Sequence, residues 1–391
     1  MYRGFACPYD AIDRQFIDAV EVTYAAQFTR RFVRGATKTL KERASGLARF
    51  LVDGINNGLT FDTVWDPAFA QVRLAVLQSN SSALAARAAA LALRLCEKGC
   101  TGEWEAEFAE PIRLQFGRWI LPTARWIKVS STATTVFIDT KGGARNRMVR
   151  FQKELRTWKG YGAEELPVAA DGRYIVATAS AVSTFPLEAV SPVKQSKVHL
   201  AKVRLGLAIT LLARYAPVYV PWLRRVLRRI IPVESEVGRL QSGSDQDHPG
   251  TIYLSTSCPI AAIAEMLVHE ASHQYYFILR HYGAFDDGSG ELHFSPIKGC
   301  KRPIDKILLA YHAFANVLLL YRSCLKKKIR DGGYCRESEP VLVRQLRELE
   351  KALATTKALT PLGQTLWRPL AERLRKPRAP SPYICTDLFR H

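Results

Sequence analysis

Residues 267–276 read LVHEASHQYY, two histidines four apart with a glutamate directly after the first. On a helix, positions i and i+4 share one face, so His269 and His273 can both offer a ring nitrogen to one ion while Glu270 lies beside them. The flanking sequence supports that helix. CPIAAIAEMLVHEASHQYYFILRHYG, 258–283, opens with Pro259, which suits a first turn, and meets no breaker before Gly283. A short alternating stretch, TIYLSTS at 251–257, precedes it and reads as a strand. A polar loop over 283–303 then leads into IDKILLAYHAFANVLLLYRSCLKKK, 304–328, a second strongly apolar helix.

Strand, helix, loop and helix in this order make a zincin-like metal core over about residues 248–323. A metal that does chemistry needs a third protein ligand and an open position. The extended metzincin pattern asks for Gly at 276 and His at 279, where this chain has Tyr276 and Leu279. Asp286, Asp287 and His293 share a loop with Glu291 and stay open as ligands. His312 is preferred, because an imidazole interrupting ILLAYHAFANVLLL demands a partner. A histidine so placed is more often a satisfied core residue; the HExxH pattern upstream favours the ligand reading. Glu265 and Asn316, each one turn from a candidate ligand, could orient the rings. Spacing does not choose the metal. Three histidines are a common zinc set, whereas Glu270 or Asp287 in place of His312 would favour iron.

The 391 residues, 48% of them hydrophobic, can bury a large core. Residues 11–118 are rich in Ala, Leu and Arg, as in ALAARAAALALRLCEKG at 83–99, and predict a helical N-terminal region over 1–118. From 119 to 182 the texture turns β-branched, with SSTATTVFIDTKGG (130–143) and GRYIVATASAVSTF (172–185) reading as strands. A long helical segment is expected over 195–230, stopping before Pro232. Residues 119–391 are therefore read as a mixed α/β catalytic region, and the whole as an α+β, predominantly α-helical protein.

The apolar run 205–223 contains Arg214, Pro217 and Pro221, poor company for a membrane span and better read as a buried helix that breaks. MYRGFACPYDAIDRQ brings charges and a proline where a secretory segment needs an apolar stretch, so the expected location is the cytoplasm. Eight cysteines without a CxxC pair suggest neither a zinc ribbon nor a disulfide scaffold, and Cys96 and Cys100 read as core thiols. The net charge of +20 gathers at Arg224, Arg225, Arg228 and Arg229, at 326–330, and in RLRKPRAPSP (373–382), a basic stretch expected to be poorly ordered. Such a surface attracts polyanions without specifying them. Nucleic-acid binding has only this charge behind it, since no aromatic-basic stacking motif appears.

IYLSTSCPIAAIAEMLVHEASHQ (252–274), followed by FSPIKGCKRPIDKILLAYHAFANV (294–317), resembles the HExxH-containing peptide-modification proteins, regarded as 2-oxoglutarate-dependent peptide β-hydroxylases of ribosomally made peptide pathways. The resemblance implies that His269, His273 and His312 hold Fe(II), leaving positions for 2-oxoglutarate and dioxygen, and that a β-carbon of a precursor peptide is oxidised. It also implies a cation for the far carboxylate of 2-oxoglutarate, for which Arg302 in KRPID is the nearest candidate, followed by Lys301 and Arg322. The basic surface suits an acidic peptide. The runner-up is a zinc metallopeptidase in which Glu270 activates a metal-bound water as general base.

Overall fold

Glu103, Glu105 and Glu107 point to solvent while Trp104, Ala106 and Phe108 are buried, and this alternation builds β1 (Gly102–Ile112). The computed structural model describes residues 3–9, 22–23, 27, 30–36, 40, 44–56, 81–143, 146–155, 157–169, 174–177, 191–235, 240–329 and 332–375. Strand β1 joins β4 (Ala124–Ser131), β5 (Thr135–Lys141), β6 (Arg147–Glu154) and β7 (Thr157–Tyr161) in a five-stranded antiparallel sheet, in the order β1-β4-β5-β6-β7. Its inner face carries Ile127, Val129, Ile138 and Phe151 and packs under α2 (Ser45–Asn56) and α3 (Ser81–Glu97). Two short strands, β2 (Gln115–Phe116) and β3 (Trp119–Ile120), pair with β8 (Glu164–Glu165) at its margin.

The strand layer thus begins at Gly102, and the helical reading of residues 1–118 is corrected from there on. GEWEAEFAEPI is built largely of Glu and Ala, good helix formers. Burial of Trp104 and Phe108 beneath the helices overrides that propensity and selects the period of two. Helix α3 ends at Glu97, and Cys96 and Cys100 are both buried, as core thiols should be. Much of 11–80, the stretch 178–185 and the basic C-terminal run from 376 lie outside the described residues.

The second sheet has the order β12-β13-β11-β10-β9. Strands β10 (Tyr174–Val176), β11 (Arg229–Val233) and β13 (Thr251–Ser255) are parallel, while β9 (Val168–Ala169) and β12 (Ser242–Ser244) run antiparallel along its two edges. Parallel neighbours need a crossover, and between β10 and β11 it contains α4 (Val198–Tyr215) and α5 (Tyr219–Val226). The expected single segment over 195–230 is therefore two helices interrupted at Ala216–Pro217, and its last residues already belong to β11, with Pro232 inside that strand. Next come α6 (Ile260–Arg280), the hairpin β14 (Leu292–Ser295) and β15 (Cys300–Pro303), α7 (Ile304–Lys326), α8 (Gly333–Thr355) and α9 (Pro361–Arg375). Pro259 and Pro303, both extended, stand just before α6 and α7, where a missing N–H costs nothing. Arg204 of α4 donates to the carbonyls of Thr256 and Cys258 and so fixes the turn from β13 into α6.

Helices α6 and α7 form the centre, covered by α4 on one side and by α8 and α9 on the other. Among the described residues, α7 alone is long and apolar enough to cross a membrane, and 72% of its apolar window is buried inside the protein.

The chain's first turn, α1 (Arg3–Ala6), is held by side chains far along the sequence. Trp222 Nε1 donates to the Gly4 carbonyl (3.2 Å), Asn316 Nδ2 to that of Ala6 (2.8 Å), and the Phe5 ring meets Tyr275 edge-on with centroids 5.9 Å apart.

Candidate metal centre

Helix α6 is apolar around most of its circumference, which buries it and brings its polar residues against neighbouring elements. His269 and His273 stand one turn apart, ring centroids 4.6 Å from each other and planes nearly perpendicular at 88°. A nitrogen of each and a carboxylate oxygen of Glu270 all lie within 4.8 Å of one another. The His269 ring meets Phe314 of α7 with centroids 4.7 Å apart.

Glu270 is 1% exposed, and each of its oxygens accepts a hydrogen bond: Oε1 from Ser242 Oγ and Oε2 from Ser244 Oγ, both at 2.7 Å. The two serines occupy alternate positions of β12 and so point to the same side of the strand. Between them, Gly243 leaves room for the Tyr253 ring, which an added Cβ would approach to 2.5 Å. Burial pushes the Glu270 carboxyl up to about 7, with both serine hydroxyls opposing it.

Burial lowers His269 to about 4, and the His312 and Lys298 charges add to the effect. His273 is lowered well below its ordinary value, first by burial and then by His269, His312 and Lys306. Both imidazoles are neutral at pH 7, the form that ligates a metal. Buried His273 Nδ1 has no hydrogen-bond partner, and two serine hydroxyls are the only hydrogen-bond donors to the Glu270 carboxylate among the described residues. Two neutral imidazoles beside a carboxylate reluctant to ionise alone fit a divalent cation, which would bring Glu270 below neutrality.

The sequence also pointed to His312. Its Nε2 lies 2.9 Å from the Phe5 carbonyl and 3.0 Å from that of Ala6, both acceptors, so this nitrogen carries the proton. Burial lowers the ring to about 4, against the carbonyls of Phe5, Ala6 and Ser272. Its Nδ1 is buried without a hydrogen-bond partner, and His312 stands outside the group formed by His269, Glu270 and His273. Asn316 serves the same first turn, donating to the Ala6 carbonyl and to the backbone oxygen of His312 (2.9 Å) rather than to a ring. Glu265 accepts from Tyr321 and Tyr334 on α7 and α8, and burial raises its carboxyl.

Arg302 faces His293 across the β14–β15 hairpin, with Lys301 exposed beside it. Arg322 is engaged elsewhere, 3.4 Å from Glu339 and donating to the Leu374 carbonyl at 2.9 Å. Asp286 and Asp287 accept from the backbone N–H groups of Gly288 and Ser289, closing loop turns, and His293 lies 3.3 Å from Glu291. Sequence reasoning missed the serine pair and the two lysines whose charges reach the histidines. SGS just ahead of a strand was the available signal for the serines. No protein-family model matches the chain, and no curated protein matches it.

Proposed function

We propose that this protein is an Fe(II)- and 2-oxoglutarate-dependent oxygenase that hydroxylates a β-carbon of a ribosomally made precursor peptide in the cytoplasm. The observation carrying the reading is the donor set. Two neutral imidazoles with one carboxylate, Glu270, are gathered within 4.8 Å, a ligand set that non-haem iron oxygenases use and that catalytic zinc also takes. The antiparallel edge strand β12 over the HExxH helix, with α7 following, supports a zincin-like core for the same centre.

His269 and His273 would hold the ion with neutral nitrogens, and Glu270 would complete the set from a position fixed by Ser242 and Ser244. When bound, Fe(II) with 2-oxoglutarate and dioxygen supplies the oxidation of an unactivated C–H bond, with succinate and carbon dioxide as the other products. Phe314 of α7, whose ring meets that of His269, would line the centre beside the ligands. Lys298 and Arg302 are the cations available for the far carboxylate of 2-oxoglutarate, while Lys306 lies 3.5 Å from Asp305.

Anaerobic addition of Fe(II) and 2-oxoglutarate should produce a weak visible charge-transfer band, and turnover should add one oxygen atom to the peptide and release succinate. A folded, iron-loaded protein showing neither band nor succinate rules the reading out. The competing reading, a zinc peptidase with Glu270 as general base, draws on the Glu270 value of about 7, which suits proton transfer at neutral pH. Glu270→Gln separates the two by metal content. A metal donor lost costs iron, whereas a general base lost leaves zinc bound and stops cleavage.

A further inference from the structure

A groove of about 460 Å³ runs between α7, α8 and α9, apart from the metal centre. Leu318, Leu346 and Leu374 form its floor, with Val343 half-buried at one end. Its α8 wall extends from Val343 to Ala354, roughly 16 Å at the helical rise. Arg347 and Lys351, one turn apart and both exposed, stand on the rim, and neither side chain has a hydrogen-bond or ion-pair partner among the described residues. The acid lining the groove, Glu350, is already taken by Arg375 and by the Tyr311 hydroxyl at 3.3 Å. Arg322 in the same wall is matched by Glu339. The unmatched charge is therefore positive and repeats at helical spacing beside an apolar floor.

We propose that this groove docks an acidic amphipathic segment of a peptide, with apolar side chains against Leu318, Leu346 and Leu374 and carboxylates along Arg347 and Lys351. An elongated floor fits successive side chains of one helical turn after another, and two cations at one-turn spacing complement carboxylates at the same interval. The choice of a peptide as occupant rests on the reading that the protein acts on peptides. A single-headed amphiphile would engage one of the two cations and leave the other unmatched.

The test is fluorescence anisotropy with the full chain and a labelled synthetic helical peptide carrying leucines on one face and glutamates beside them. Arg347→Glu with Lys351→Glu should weaken binding by about tenfold or more. Val343→Ser should weaken it severalfold, with thermal melts confirming that each variant is folded. Lys128→Glu with Arg147→Glu, the same charge change on the exposed face of the first sheet, should leave binding unchanged. Equal weakening by both double reversals would mean a general charge effect and overturn the proposal, as would absence of binding. Laurate binding that the rim reversal abolishes, with the peptide not bound, would assign the groove to a small amphiphile and overturn it as well. The assay needs neither metal nor 2-oxoglutarate, so its failure leaves the oxygenase test standing, and the reverse holds.

Discussion

Helices α6 and α7 both place histidine in an apolar setting and each leaves a ring nitrogen without a protein partner, His273 Nδ1 and His312 Nδ1, but the surroundings of the two differ. On α6, His269 and His273 face each other and a carboxylate, and His273 Nδ1 finds no protein partner. On α7, His312 gives its Nε2 proton to two carbonyls from the first turn of the chain. A buried polar group must be compensated, and the compensation can be an ion or the backbone. The first arrangement leaves donors converging on a common space; the second spends its hydrogen on holding the fold together.

The largest effect separating these two environments concerns metal. His269→Ala or His273→Ala should lower affinity by well over roughly 100-fold, since even outer partners of metal ligands are worth about 10–100-fold. Elemental analysis after desalting checks it. His312→Ala should keep the wild-type stoichiometry and instead lose about 2–4 kcal/mol of stability in denaturant, from a cavity and the lost Nε2 hydrogen bonds to the first turn, where the Ala6 carbonyl keeps Asn316. An emptied site in a His312→Ala protein of unchanged stability would erase the contrast.

A smaller effect sharpens it. Replacing Ser242 and Ser244 by Ala removes both hydroxyls that oppose the burial of Glu270, so its carboxyl should rise further above about 7. Metal affinity near neutral pH should fall by about tenfold and recover at higher pH. Titrations of metal into the double variant at several pH values would show whether the recovery occurs.

The remaining effect is the pH dependence of metal-free stability. His269 and His312 sit at about 4 instead of 6.5, so between these values the folded protein binds fewer protons than the unfolded chain and stability rises with pH. Their contribution is lost as pH falls through about 4, and His273 acts in the same direction. Glu270, at about 7 instead of 4.5, does the reverse: the folded state holds an extra proton and stability falls as pH rises through that window. Three histidines against one glutamate predict a net rise up to pH 6.5. Urea melts of wild type and Glu270→Gln would test it, the variant rising more steeply.

What was legible in the sequence was local. Apolar periodicity, with Pro259 opening the first and a polar loop preceding the second, placed α6 and α7 close to their observed bounds, Ile260–Arg280 and Ile304–Lys326. The spacing of His269, Glu270 and His273 is a property of one helix and survived intact. Ser242 and Ser244 reach Glu270 across 28 and 26 residues through a strand pairing that no periodicity reports. The Nε2 partners of His312 lie 307 and 306 residues away, and a polar residue in an apolar helix announces only that some partner exists. At β1, favourable helix propensity concealed a strand that only packing beneath α2 and α3 could select.

The docking of Gly4, Phe5 and Ala6 onto Trp222, His312 and Asn316 sets an order of events during biosynthesis. Asn316 and the Ala6 carbonyl it binds are separated by 310 positions, among the longest loops this chain can close. Residues 4–6 are translated long before their receptor is complete, because His312 and Asn316 belong to α7. Until then the Phe5 and Ala6 carbonyls wait for their α7 donors, and final closure of the core is expected after translation has passed α7.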